Sequence, residues 1–423
     1  MSNAEPRRRR VVVVGAGAAG CMAAIFAAAS GADTTLVERT KDGGRKILIS
    51  GGGRCNVLPA RLDESRFVTD SSPNTLRKML RSWPLDEQVA FFEGELGIPL
   101  VIEQATAKRF PASHKARDVR DGLLAHASRT GGGRGATLLM DTMITGFGPE
   151  GGSWRVERAN GAPIECDALV VATGGLSVPN TGSDGTGLRV LEQLGHAMHA
   201  TYPALTPITA SEPDLAALSG VSLTVTLSAE DAQRAATATG GFLFTHRGYS
   251  GPSVLDVSHV VTRSDASSNA RARLTVRWTP LGDAEWERAL QPLGRRSVIG
   301  ALRAELPDRL AEALATRAGV DPARVLSELR REERLRLVET LVRGDLPWTG
   351  DEGYRKAEVT GGGVALSEVD PRTMESRRHP GLFLCGEVLD AFGPIGGYNF
   401  VWAWATGRAA GLGAAGATPD SPH

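Results

Sequence analysis

The sequence predicts an α/β fold that joins a parallel sheet to an inserted antiparallel β-barrel and a small helical domain. Near the start of the chain, the valines at 11–14 run into a glycine turn and an alanine-rich helix, the order expected of a buried parallel strand. From about residue 200 the pattern changes to short alternating segments such as 222–227 and 273–278, which are typical of antiparallel strands. Residues 281–346 then carry Arg, Glu, Leu and Ala with helical periodicity.

The length of the chain also predicts more than one domain. A chain of 423 residues is longer than a single hydrophobic core usually accommodates. We expect a discontinuous domain made of residues 1–199 and 355–423. A barrel-like domain at 200–280 and a helical insert at 281–354 would interrupt it.

Strand, glycine turn, helix and second strand follow one another between residues 11 and 38, the pattern of a βαβ unit. In the G-x-G-x-x-G turn, Gly15 permits a tight bend, Gly17 lets the backbone approach a diphosphate, and Gly20 lets the helix pack on the strand. Glu38 ends the second strand, where it would accept hydrogen bonds from ribose hydroxyls. The unit therefore predicts a Rossmann-type dinucleotide site. A glycine-packed contact without a ligand would leave Glu38 unexplained.

A second glycine-rich block, flanked by cations, occupies residues 45–56. Three consecutive glycines lose more conformational entropy on folding than other residues would, and a loop without a ligand does not need them. The block therefore indicates backbone wrapped around a phosphate or the polar edge of a flavin. A solvated loop is the alternative. Cys55 within the block is more often an unreactive structural thiol than a redox group.

Two later segments follow strands of the same sheet. Residues 172–175 end an apolar strand, and the permissive loop at 180–187 either covers a ligand or is a plain connector. The block at 386–399 opens a helix whose amides could face a flavin, with Glu387 or Asp390 holding ribityl hydroxyls. An ordinary capped helix is the alternative.

Composition excludes several classes of function. The 48 basic and 48 acidic residues cancel, so the chain as a whole attracts neither nucleic acid nor anionic lipid. The four cysteines form no CxxC pair, which argues against zinc sites and disulfides and favours a reducing cytoplasm. Arg7–Arg10 before the apolar run 11–29 imitates a membrane anchor, but valines leading into glycines indicate a buried strand instead. We expect no metal and no membrane span, and the oligomeric state stays open.

Seven blocks occur in an order that resembles a known family: VVVVGAGAAG (11–20), RKILISGGGRCN (45–56), KRFPASHKARDV (108–119), ATGGLSVPNTGSDGTG (172–187), FTHRGYSGP (244–252), VTGGGV (359–364) and the long segment 373–411. Together they resemble the BaiN-like bacterial flavoproteins, NAD(P)/FAD-dependent oxidoreductases distantly similar to fumarate-reductase and ketosteroid-dehydrogenase flavoproteins. The resemblance spans nearly the whole chain and implies FAD as the cofactor. It implies cofactor contacts from Gly15, Gly17, Ala18, Ala19, Gly20, Glu38, Arg39, Arg45, Lys46, Gly52, Gly53, Arg54, Cys55, Asn56, Ile144, Ala172, Thr173, Gly174, Gly386, Glu387, Asp390, Gly396, Gly397, Tyr398 and Asn399.

The expected function is an FAD-dependent oxidoreductase that passes a hydride from NAD(P)H or another donor to an unsaturated small organic substrate. The glycines at 361–363 lead into an extended segment and not into a helix, so NAD(P)H would dock only transiently. The candidate proton donors are Tyr398, His246, Tyr249 and His114. An RNA-modifying flavoprotein and a non-catalytic flavin-binding redox sensor are the alternatives. The balanced charge of 281–346 argues against RNA.

Overall fold

The chain divides into two compact units in the computed structural model, which describes residues 7–133, 135–211, 217–266 and 271–417. The first unit comprises Met1–Thr201 and Val359–His423, and the second comprises Tyr202–Glu358. The strands are β1 Arg10–Val14, β2 Asp33–Val37, β3 Leu58–Pro59, β4 Leu100–Glu103, β5 Lys108–Pro111, β6 Thr137–Leu139, β7 Ile144–Glu150, β8 Ser153–Arg158, β9 Ile164–Cys166, β10 Ala168–Val171, β11 Met198–Ala204, β12 Ile208–Thr209, β13 Ser222–Glu230, β14 Ala235–Thr245, β15 Gly248–Ser250, β16 Arg273–Arg277, β17 Gly344–Asp345, β18 Gly350–Asp351, β19 Val359–Val364 and β20 Leu382–Leu384.

The described α-helices, numbered in chain order, are α1 Ala18–Ala29, α2 Arg45–Ile49, α3 Pro73–Arg81, α4 Leu85–Ala90, α5 Ala116–Gly133, α6 Thr186–Gln193, α7 Pro252–Ala266, α8 Asp283–Ala289, α9 Val298–Leu302, α10 Asp308–Arg317, α11 Arg331–Arg343 and α12 Tyr398–Ala415. In the part of the chain that the structure describes, no helix combines the length and the apolar character needed to cross a bilayer.

A five-stranded parallel sheet in the order β20-β10-β1-β2-β6 forms the centre of the first unit. The β-branched valines of β1 favour a strand, and all four are buried, as expected of a strand covered on both faces. Because the strands are parallel, the turns that follow β1, β10 and β20 lie at the same edge of the sheet. This edge is where the sequence predicts the cofactor.

Helices α1 and α12 pack closely because small residues meet where they cross. A Cβ on Gly407 would fall against the carbonyl of Ala19, and one on Gly411 would fall against the carbonyl of Ala23. The four-residue spacing places both glycines on one face of α12. The contact ties the C-terminal helix to the helix that opens the dinucleotide site.

Three smaller sheets accompany the parallel sheet. One has the order β3-β5-β4, another β7-β8-β9, and β11 pairs with β19. Helices α3 and α4 are separated at Pro84, which precedes α4 and lacks the N–H that a continuous helix needs. The glycine block at 45–56, predicted as wrapping backbone, forms the short helix α2 and a 3-10 turn at Ser50–Gly53.

The second unit contains a seven-stranded sheet in the order β17-β16-β13-β14-β15-β12-β18 and the helices α7 to α11. Its sheet residues, such as Phe242 and Val276, share one hydrophobic core with helix residues such as Leu314 and Leu337. The separation of a barrel at 200–280 from a helical domain at 281–354 stays a prediction.

Candidate functional site

The turn between β1 and α1 has the geometry that the G-x-G-x-x-G pattern predicts. Gly15 has a φ of +104°, and a Cβ there would lie 2.5 Å from the carbonyl oxygen of Ala172. A Cβ on Gly20 would meet the carbonyl oxygen of Gly15, so this position needs glycine for packing. A Cβ on Gly17, the residue before α1, would meet no heavy atom of the described residues within 4 Å. Backbone at Gly17 can therefore be approached by a ligand.

Glu38 lies where the sequence predicts, at the end of β2. The residue is 7% exposed, and its Oε2 accepts a hydrogen bond from the Ala16 amide at 2.8 Å. Its Oε1 accepts from the amide and the hydroxyl of Thr40, at 2.8 and 2.7 Å. These bonds hold the carboxylate beside the first turn of α1, close to where a dinucleotide's ribose belongs.

The turn after β10 supplies a polar atom that has no protein partner. The Oγ1 of Thr173 is buried and makes no hydrogen bond to any residue that the structure describes. Buried hydroxyls are normally hydrogen-bonded, so this atom indicates a ligand contact. Gly174 has a φ of +72°, and Ala172 donates its amide to Val14, which fixes the turn beside β1.

An ion pair links α2 to the turn after β20. Lys46 Nζ lies 2.7 Å from Glu387 Oε2 and 2.6 Å from Ser177 Oγ. The other carboxylate oxygen accepts from the Ser177 hydroxyl and from the Thr360 amide, at 2.7 and 3.0 Å. Burial acts to raise the pKa of Glu387, but the Lys46 charge and these hydrogen bonds outweigh it and hold the pKa below its ordinary value.

Asp390, the other candidate for ribityl hydroxyls, is 2% exposed and is used to hold a neighbouring loop. Its Oδ2 accepts hydrogen bonds at 2.9 Å from the Thr69 hydroxyl, the Asp70 amide, and the amide and hydroxyl of Ser71. Burial raises the pKa of Asp390, against the lowering effect of these hydrogen bonds and of His199. Protein groups engage both carboxylates, but the Glu387 side chain is 17% exposed and that of Asp390 only 2%, so Glu387 is the better candidate for a ribityl contact and Asp390 serves as a clamp on this loop.

The remaining residues of the second glycine block take different roles. Arg54 donates to Glu103 at 2.9 Å and stacks on Phe110 with its guanidinium 4.2 Å from the ring centroid. Cys55 is fully buried, and burial raises the pKa of its thiol to about 12, which favours the structural interpretation. Gly52 and Gly53 have positive φ and sit on the exposed side of this turn, and Asn56 lies beside Gly51.

The turn before α12 lies against the small sheet. A Cβ on Gly397 would meet the backbone of Leu58, and one on Gly396 would lie 3.4 Å from Cε of Lys108. Asn399 exchanges hydrogen bonds with both backbone groups of Gly393 at 2.9 Å, which closes the loop. Gly386, in the turn after β20, packs on Ala19 in the first turn of α1. Ala18 and Ala19 therefore lie at the same edge of the parallel sheet as the turn after β20.

Three further residues predicted to contact the cofactor are Ile144, Arg39 and Arg45. Ile144 opens β7, beyond the end of β6 at Leu139, and is 8% exposed. Arg39 pairs with Asp184 on the loop at 180–187. Arg45 pairs locally with Asp42.

The four candidate proton donors differ sharply in placement. Tyr249 is fully buried in the core of the second unit and donates its hydroxyl to the Pro347 carbonyl, which argues against a role as proton donor. His246 lies exposed in the turn between β14 and β15, in the second unit. His114 is exposed in the first unit, with its ring 5.9 Å from Phe110. Tyr398 begins α12, and its ring is 5% exposed between Phe67 and Arg66.

The sequence analysis assigned no role to three residues that hold the candidate site through contacts between distant parts of the chain. Ser177 and Thr360 bracket Glu387, and Asp184 binds Arg39. All three lie in glycine-rich blocks that the sequence analysis names, at 172–187 and 359–364, but the spacing of a block does not show which distant residue each side chain contacts. In the described ranges no group of three or more His, Cys, Asp or Glu side chains is arranged to hold a metal.

These features fit an adenine dinucleotide. The approachable backbone at Gly17, the fixed carboxylate of Glu38 and the unpartnered Thr173 hydroxyl lie along one edge of the sheet. The family described as the HI0933-like protein Rossmann domain matches residues 9–413. The chain belongs to this family.

Two relatives of similar length have named activities. The chain is 32% identical over 383 residues to the ribosomal RNA dihydrouridine synthase of Escherichia coli K12, covering 89% of this chain and 90% of that protein. It is 30% identical over 395 residues to the 3-dehydro-bile acid delta(4,6)-reductase of Clostridium scindens, covering 91% and 93%. The predicted BaiN-like family, the Rossmann fold and the class of FAD-dependent oxidoreductase are thereby confirmed at the level of the family.

Among solved structures, a 3-ketosteroid-delta4-(5alpha)-dehydrogenase from Rhodococcus jostii RHA1 is similar to the chain at 18% identity, with 98% of each chain covered and a TM-score of 0.46.

Proposed function

We propose that the HI0933-like chain uses FAD to reduce a carbon–carbon double bond conjugated to a carbonyl group in a small organic substrate. The observation that carries the cofactor is the edge formed by Gly17, Glu38 and Thr173. The relatives support the chemistry. Making dihydrouridine saturates a double bond conjugated to a carbonyl, and a 3-dehydro-delta(4,6) bile acid has its double bonds in conjugation with a ketone.

When bound, FAD supplies the hydride chemistry. The amides at the start of α1 would bind the diphosphate, and Glu38 would bind the adenosine ribose. Glu387, with Lys46 as its counter-charge, would orient the ribityl chain. Saturating the double bond also requires a proton at the carbon next to the carbonyl.

Tyr398 is the proposed source of that proton. Its ring is fixed by Phe67 and by the guanidinium of Arg66, which lies 5.3 Å from the ring centroid. A held ring suits a proton donor, whose hydroxyl must meet the substrate in a fixed position. His114, exposed in the same unit, is the second candidate. Tyr398→Phe should slow product formation far more than it weakens FAD binding.

NAD(P)H is the proposed electron donor. The glycines at 361–363 lie within β19, so they do not open a helix as a second dinucleotide turn would. Transient docking at the flavin is therefore proposed. Steady-state oxidation of NADH and NADPH by the purified protein tests this step. All four cysteines are buried free thiols, which supports a reducing compartment such as the cytoplasm.

An RNA substrate is the second candidate, favoured by the 32% identity to the ribosomal RNA dihydrouridine synthase. The decisive experiment reduces the flavin of the purified protein under anaerobic conditions and adds either a 3-oxo-4,6-diene steroid or a uridine-containing ribosomal RNA transcript. Reoxidation by the steroid, with saturated product in mass spectra, supports the proposal. Reoxidation by the transcript alone supports the second candidate. Protein that takes up no FAD overturns both, and reduced flavin that neither compound reoxidises favours a redox sensor.

A further inference from the structure

Residues 178–187, which we name the strap, run from the turn after β10 to the start of α6 and contact the end of β2. Arg39 donates to Asp184 Oδ2 at 2.5 Å and to the carbonyl oxygen of Gly182 at 3.3 Å. Gly182 lies against the side chains of Arg39 and Thr40, where a Cβ would meet them at 3.4 and 3.5 Å. Arg39 directly follows the carboxylate proposed to bind the adenosine ribose.

The strap is held in place by tertiary contacts. Val178 has a φ of +49°, a left-handed conformation that β-branched residues rarely adopt without external support. Ser183 packs on the turn after β10, since a Cβ on Gly174 would lie 2.9 Å from its hydroxyl oxygen. Asp184 Oδ1 also accepts the Thr186 amide at 3.0 Å.

The charges around Asp184 favour its ionised form. Burial acts to raise the pKa of this carboxyl, but the hydrogen bonds from Thr186 and the charge of Arg39 keep the pKa below its ordinary value. Asp184 is thus an anion at neutral pH, and the Arg39 guanidinium is committed to it. Both side chains keep about a third of their surface, at 36% and 38% exposed, so a ligand could compete for Arg39.

In Rossmann sites, the acidic residue after the second strand binds free ribose hydroxyls, and a nearby arginine accommodates the 2′-phosphate of NADP. Here both residue types are adjacent, and the arginine is paired with the strap. We propose that Asp184 is a specificity-determining residue, which engages Arg39 and so restricts the site to adenosine ligands with a free 2′-hydroxyl. This inference rests on the proposed FAD site.

The test compares the affinities of purified wild type and Asp184→Asn for ADP and for 2′,5′-ADP by calorimetry. Asparagine keeps the acceptor for the Thr186 amide and removes the charge that binds Arg39. A phosphate that gains a charge-assisted bond to Arg39 should shift the ratio of the two affinities toward 2′,5′-ADP by roughly tenfold. The double variant R39A/D184N should lose this shift.

Glu312→Gln is the matched control, because it breaks an exposed ion pair with Arg303 in the second unit and should leave the ratio unchanged. The inference is overturned if the ratio of the two affinities in D184N stays within about twofold of the wild-type ratio, or if both ligands lose affinity equally. Should D184N fail to fold by circular dichroism, Asp184→Ser, which also keeps an acceptor, takes its place. Wild-type protein that binds neither ADP nor FAD would instead defeat the proposed function.

Discussion

Replacing Gly17 and Gly20 by alanine in turn separates a residue needed for the ligand from one needed for the fold. Gly17 has φ −80° and ψ −169°, which alanine adopts freely, and its Cβ would contact no described atom. The apoprotein of G17A should therefore be unchanged or more stable by about 0.4–1 kcal/mol, because alanine restricts the unfolded chain. Its new methyl group would project toward the diphosphate. Losing one charge-assisted amide contact of about 1.5–3 kcal/mol weakens FAD binding by roughly 10- to 150-fold.

Gly20→Ala should give the opposite pattern. Its Cβ would overlap the carbonyl oxygen of Gly15, and the backbone must move. Overpacking of this kind costs about 1–3 kcal/mol, only partly offset by the roughly 1 kcal/mol gained from alanine's helix propensity. Urea unfolding of the apoproteins and FAD titration by flavin fluorescence quenching measure the two effects separately. Wild-type FAD affinity in a stably folded G17A would refute the assignment of the diphosphate to this turn.

Three further outcomes follow from burial and charge. Because burial raises the pKa of Cys55 to about 12, iodoacetamide at about pH 8 should leave the native thiol unmodified and alkylate it only in denaturant; labelling of native protein would contradict its burial. The lowered pKa of Glu387 means that its ionised form adds stability above about pH 4.3, which is lost as pH falls through the folded pKa. E387Q should flatten the fall in Tm between about pH 5 and 3, and an unchanged Tm profile would count against the Lys46 pairing. Asp390→Asn keeps an oxygen for the four donors and should cost under about 1 kcal/mol in urea unfolding, whereas Asp390→Ala should cost about 2–4 kcal/mol; equal costs would argue against the clamp.

The parts of the fold predicted from sequence are those whose cause is local. The glycine spacing at 15–20 and the position of Glu38 depend on steric limits within one turn, and both are found as predicted. The valines at 11–14, predicted as a buried parallel strand, form β1 with all four buried, because a run of β-branched apolar residues is a local property.

Distant pairings were not predictable in this way. Lys46 meets Glu387, 341 positions away in the chain, only because α2 and the turn after β20 lie at the same sheet edge. Tyr249 illustrates the converse. Its glycine-flanked turn suggested an accessible hydroxyl, but packing against Phe242 and Phe244 buries the ring. A single sequence gives the polarity of a segment, whereas burial depends on what the rest of the chain places over it.

The topology also separates the proposed cofactor site from the segments that are inserted between strands of the parallel sheet. The turns after β1, β10 and β20, which we propose bind the dinucleotide, have a geometry fixed by the pairing of three adjacent strands. Between β2 and β6 the chain inserts the sheet β3-β5-β4, and between β11 and β19 it inserts the second unit. Insertions of this kind can change without disturbing the parallel pairing. Substitutions in β3, β4 and β5 should therefore alter the choice of substrate while leaving ADP affinity unchanged, and a parallel loss of ADP affinity would contradict this separation.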